Sequence, residues 1–140
     1  MSAWIHFAGS VAVALLLLTV VGNLACKAVL DWSGLSRAMA QTPEAEGAEA
    51  SASTPRVGRL IGHLERLMIA SGLIIGAWEI LAAVVALKTV ARFKDLDEKL
   101  NAEYFLVGSL FSVVWAIIVT QAWIAYDAAY GLDLVGRIAG

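Results

Sequence analysis

The chain has 140 residues, 60% of them hydrophobic and 16% charged, with a formal net charge of −2. Soluble domains run nearer to about 45–50% apolar and about 25% charged, so the excess points to membrane spans. The charge balance excludes a nucleic-acid binder, because phosphate binding needs a basic face. The single cysteine, Cys26, excludes an internal disulfide framework and a cysteine-based metal cluster.

The first apolar segment runs from about Trp4 to Leu30. Met1 to Phe7 carries no Lys or Arg, so the segment reads as a retained anchor and not as a signal peptide. Trp4 and Trp32 flank it, as interfacial rings do. Asn23 is its polar exception, placed to hydrogen-bond a neighbouring helix or to meet the headgroups. Asp31 to Ala40 reads as an interfacial extension, which makes residues 1–40 the first unit. Residues 41–56 combine Pro43, three Glu, Ala, Ser and Gly, with no aromatic or aliphatic side chain larger than Ala before Pro55. Such a stretch cannot offset the entropy of ordering, and it reads as a flexible acidic linker.

Residues 57–130 read as a membrane hairpin of two spans, about 67–87 and 104–127. The run Leu67–Leu87 is 21 residues, or ~31 Å as a helix, which matches a bilayer core. Glu79 is the one ionisable residue within it. Gly58, Gly62, Glu65, Ile69, Gly72, Gly76, Glu79, Ala83 and Ala86 recur at a 3–4 spacing, so one helix face carries small residues and two carboxylates. Helices in lipid associate through close backbone contact, and Gly58, Gly62, Gly72, Gly76 and Ala83 are the expected packing positions. The third segment presents Ser112, Thr120 and Asp127 on one face, with Tyr104 near its start. Residues 131–140 read as an interfacial tail.

The predicted fold is therefore all-α: an integral membrane protein with three transmembrane helices and a flexible linker between the first and second. Three crossings put residues 31–66 and the C-terminus on one side. Six basic residues there (Lys27, Arg37, Arg56, Arg59, Arg66 and Arg137) face four on the other (Lys88, Arg92, Lys94 and Lys99). The positive-inside rule then makes the linker and C-terminus cytoplasmic, in a bacterial inner membrane.

Arg59, His63 and Arg66 form a basic stripe suited to anionic lipid headgroups. His6 and His63 have no ligand-spaced companions, so neither metal nor cofactor is expected. No acid–base or nucleophile constellation appears, and the chain does not read as an enzyme. A carboxylate at the depth of Glu79 is costly unless protonated, paired or wetted. The expected function is an oligomeric pore or transporter-like assembly in which Glu79 lines a polar path with Ser112 and Thr120. The alternative is a non-catalytic adaptor or regulatory subunit for a larger membrane partner.

Three blocks recur in a familiar spacing: Gly58-Arg-x-Ile-Gly-x-Leu-Glu-Arg66, then Lys88 with Arg92-Phe93, then Glu103-Tyr-Phe-x-x-Gly-Ser109 with Ser112. Together they resemble a block of bacterial membrane proteins of unknown function, over about residues 58–116. Ser109 departs from the Thr of that pattern. The resemblance implies no activity. It implies that Arg59, Glu65, Arg66, Lys88, Arg92, Glu103 and Tyr104 are the marked positions.

Overall fold

The computed structural model describes residues 2–41, 55–91, 93 and 99–139, all of them in helices or the turns between them. The first segment is α1 (Ser2–Leu16), a π-helical turn (Leu17–Val21) and α2 (Gly22–Trp32), continuous apart from the widened turn. Gly34, at φ +75°, turns the chain into the short α3 (Leu35–Ala40). Then follow α4 (Pro55–Ile74), α5 (Glu79–Ala91), α6 (Lys99–Tyr130) and α7 (Leu134–Ala139).

Two stretches are long and apolar enough to cross a membrane: Trp4–Trp32 and Ala102–Tyr130, each of 29 residues. They lie antiparallel. Trp123 Nε1 donates to Ser10 Oγ at 3.3 Å, Trp115 Nε1 donates to the Leu17 carbonyl at 3.0 Å, and Cys26 Sγ lies 3.7 Å from the Gly108 carbonyl.

The run 67–87 is not the third span that its length suggests. It breaks at Ile75–Trp78 and folds back on itself. The break is a Schellman turn: Gly76 takes φ +73°, its N–H bonds to the Leu73 carbonyl, and Ala77 N–H bonds to the Gly72 carbonyl at 2.8 Å. A side chain at Gly76 would be strained in that conformation. Gly72 makes the other half of the fold. A Cβ there would stand 2.9 Å from Ile80 Cβ, so only glycine lets α5 approach α4 this closely. The two glycines, spaced for a packed helix face, form a helical hairpin inside one chain.

The buried core joins all three layers: Leu18, Ile69, Ala70 and Leu73, Val84, Ala116 and Val119. Arg66 meets Ser112, while Ile69–Leu73 share the core with Ala116 and Val119, so α4 runs in the same direction as α6. It follows that Trp32, Pro55, Ala91 and Lys99 lie at one end of the bundle. Ser2, the 75–78 turn and Tyr130 lie at the other. The described flanks of the predicted linker, Trp32 and Pro55, thus lie at the end opposite to Tyr130.

The predicted linker, 41–56, lies mostly outside the described residues; Pro55 and Arg56 already belong to α4. The tail 131–140 contains α7, held by Asp127. Its carboxylate accepts from Leu132 N–H at 3.1 Å and Leu134 N–H at 2.7 Å. Asp127 is 1% exposed, and these bonds explain how it is buried.

Candidate functional site

The polar centre of the bundle is Arg66, not Glu79. Arg66 is 4% exposed and lies where α2, α4 and α6 meet. Its Nη1 donates to Ser112 Oγ at 3.1 Å, a bond between two buried side chains. Ser112 is ten residues along α6 from Ala102, or ~15 Å into the apolar stretch.

Two glycines make room for the guanidinium. A Cβ at Gly22 would stand 3.3 Å from Arg66 Nε, and one at Gly62 would stand 3.9 Å from both terminal nitrogens. The same Cβ at Gly22 would be 3.0 Å from Nε1 and Cδ1 of Trp115. The widened turn before Gly22 contributes as well. The Leu17 carbonyl accepts from Gly22 N–H within the turn and from Trp115 across the interface. This fixes the indole beside Arg66. Widened turns of this kind often mark functional positions in helices.

Glu65, adjacent in sequence, turns towards α5. Its Oε2 accepts from Lys88 Nζ at 2.6 Å, and both side chains are largely buried. Among the described residues this is the carboxylate nearest to Arg66 in sequence, and it is engaged elsewhere. Arg66 therefore has a hydroxyl partner and no carboxylate within ion-pair distance among the described residues.

Several buried polar atoms around this level have no protein partner: Arg66 Nε, His63 Nε2 and Ser109 Oγ. His63 and Ser109 each precede Arg66 and Ser112 by three residues, about one helical turn towards the open end of the hairpin. Thr120 Oγ1, two turns deeper, is also unpartnered and buried. A narrow cavity of about 70 Å³ opens between α4, α5 and α6, bounded by Glu65, Lys88, Ser109, Ser112, Val84 and Phe105. A larger groove of about 600 Å³ lies between α1 and α6. Ile5, Val13, Leu17, Ile118 and Val119 line it, so it is apolar and remote from the charged centre.

The structure separates the residues that the sequence grouped into a path. Glu79 opens the first turn of α5 and is exposed, in the turn region at the tip of the hairpin. Nine residues separate it from Lys88, ~13 Å along α5, and Lys88 lies at the Glu65 level. The expectation of an acid buried midway against small residues is overturned, because the helix that would have buried it ends at Ile74.

Of the expected packing residues, Gly72 is in close contact and Gly76 forms the turn. A Cβ added at Gly58 would meet nothing within 4 Å, one at Gly62 would meet only the Arg66 guanidinium, and Ala83 is exposed. Asn23 is half-buried. The basic stripe is also divided: Arg59 is exposed, His63 half-buried and Arg66 buried, so Arg66 is not at a lipid surface. Glu103 is exposed and Tyr104 half-buried near the start of α6, and both are engaged in interactions. Arg92 lies outside the described residues. Arg66 was legible as a charge but not as a centre. The signal that would have found it is Gly22, a small residue in the first span at the depth where a long side chain needs room.

No protein-family model, no curated protein and no solved structure matches this chain.

Proposed function

We propose that the chain is a bacterial inner-membrane protein with two full spans and a hairpin that enters the bilayer from one face and returns to it. We further propose that it works as a small pore or transporter-like assembly of several copies, with its polar centre at Arg66, Ser112 and the Glu65–Lys88 pair. The observation that carries this reading is the inverted distribution of polarity. Leu15, Leu16, Leu24, Leu106, Leu110, Val114 and Ile118 are exposed along the two long segments, while Arg66, Ser112, Thr120 and Asp127 are buried. In water such a surface would aggregate. In lipid it is the stable arrangement, because polar groups must find partners inside the protein.

Orientation follows from the hairpin. Of the eight Lys and Arg among the described residues, all but Arg137 lie at or towards its open end. By the positive-inside rule, seven against one supports a cytoplasmic open end and termini outside. Assembly is supported by α5. Its Ala82, Ala83 and Ala86 are exposed, and small residues suit close helix contact in lipid. The family suggested by the Gly58–Ser112 block is a reading of the same kind, resting on those residues.

The test is flux across liposomes that contain the purified protein. The expected result is ion flux above that of empty liposomes, reduced at least tenfold in Arg66→Gln and unchanged in Glu79→Gln. Flux indistinguishable from empty liposomes would overturn the reading. Recovery from native membranes of a stoichiometric, unlike membrane protein would favour the adaptor role instead.

A further inference from the structure

The cavity between α4, α5 and α6 is bordered mostly by apolar side chains, with Lys88, Ser109 and Ser112 supplying hydrogen-bond donors. Ser112 Oγ uses a lone pair on Arg66, which leaves its own proton free to donate. Ser109 Oγ is buried and has no partner. Lys88 has three N–H donors and gives one to Glu65, so two remain. Behind Ser112 stands Arg66, which has no carboxylate within ion-pair distance among the described residues. The charged side chains on the cavity itself are Lys88 and Glu65, paired with each other, and Arg66 adds a positive charge behind Ser112. A buried excess cation in a poorly polarisable surrounding attracts an anion strongly. A cavity of about 70 Å³ exceeds the roughly 10–15 Å³ that one water requires, so a small ion and a few waters fit.

We propose that this cavity is a binding site for a small monovalent inorganic anion of halide type, held by the Ser109 and Ser112 hydroxyls and the Lys88 ammonium. Arg66 supplies the compensating charge through Ser112. A cation is disfavoured because Glu65, the one carboxylate bordering the cavity among the described residues, is already paired. A large organic anion is excluded by volume. The site deepens the reading of Arg66 as the polar centre and rests on it. Binding does not require flux, so the two can fail separately.

The experiment is thermal unfolding of the full chain in detergent, monitored by tryptophan fluorescence. Sodium chloride and sodium bromide are titrated against sodium gluconate at constant ionic strength. The expected result is a saturable rise in unfolding temperature with chloride and bromide and none with gluconate. Ser109→Ala should fold and should weaken the half-saturating concentration about tenfold, the effect of losing one hydrogen bond to a charged group. Arg137→Gln, at the far end of the bundle, should leave it unchanged. The same rise with gluconate would overturn the proposal, as would a halide response that Ser109→Ala does not weaken. A response that follows the cation when choline replaces sodium would assign the cavity to a cation and would also overturn it.

Discussion

Glu65 and Lys88 meet at 2.6 Å although 23 residues separate them in sequence. In one straight helix the same residues would stand ~34 Å apart. Their contact ties the arms of the hairpin one level from Arg66, and it couples the turn at Gly76 to the polar centre.

Reversing one charge should therefore be damaging and reversing both should be tolerated. Lys88→Glu places two carboxylates together in a largely buried site, and a loss of ~2–4 kcal/mol is expected. The double exchange Glu65→Lys with Lys88→Glu should recover most of it. The coupling energy from a double-mutant cycle of unfolding in detergent measures this. A value near zero would mean that the arms do not meet.

Gly76 should tolerate no side chain with ease. Gly76→Val forces a β-branched residue into the left-handed region, and a cost of ~1–3 kcal/mol is expected. Gly72→Leu should cost at least as much, because the new side chain must displace Ile80. Thermal unfolding of both variants checks this. Gly58→Leu should be near neutral, since nothing lies within 4 Å of that position.

Gly22→Val should disturb the polar centre from the opposite helix. Its Cβ alone would press on Trp115 and Arg66. The expected signs are a shift of Trp fluorescence and a loss of ~1–3 kcal/mol. Unaltered emission and stability would contradict the placement of Arg66 between α2 and α6.

Asp127→Ala should release α7. The carboxylate accepts two backbone N–H groups, and their loss leaves donors unpaired for ~1–2 kcal/mol. Hydrogen exchange should rise in residues 131–139 and remain slow along α6.

The all-helical class and the two long apolar segments were legible in the sequence, because an unbroken apolar run long enough to cross a bilayer shows in composition alone. The flanking Trp4 and Trp32 and the helix between them agree with that reading. The fate of residues 67–87 was not legible, for a physical reason. Gly72 and Gly76 stand four apart, which serves a packed helix face and a Schellman turn equally well. Length and hydropathy do not separate a rod from a hairpin. Charge placement does: Glu65 lies 11 residues before Gly76 and Lys88 lies 12 after it, as a symmetric hairpin requires. Glu79 was misplaced as a consequence of the same ambiguity, since an acid midway along a rod becomes an acid at a tip once the rod folds. Asp127 looked like part of a polar stripe with Ser112 and Thr120. Its role as a cap depends on residues 131–134 turning back, which no periodicity announces.

The hairpin is the claim on which orientation, the polar centre and the cavity all depend. Spin labels at Leu64 and Leu87, both exposed, measure it directly by their separation in a bilayer. The account predicts a distance within about two helix diameters, ~20–24 Å. A separation near ~34 Å, the length of 23 residues of unbroken helix, would contradict it.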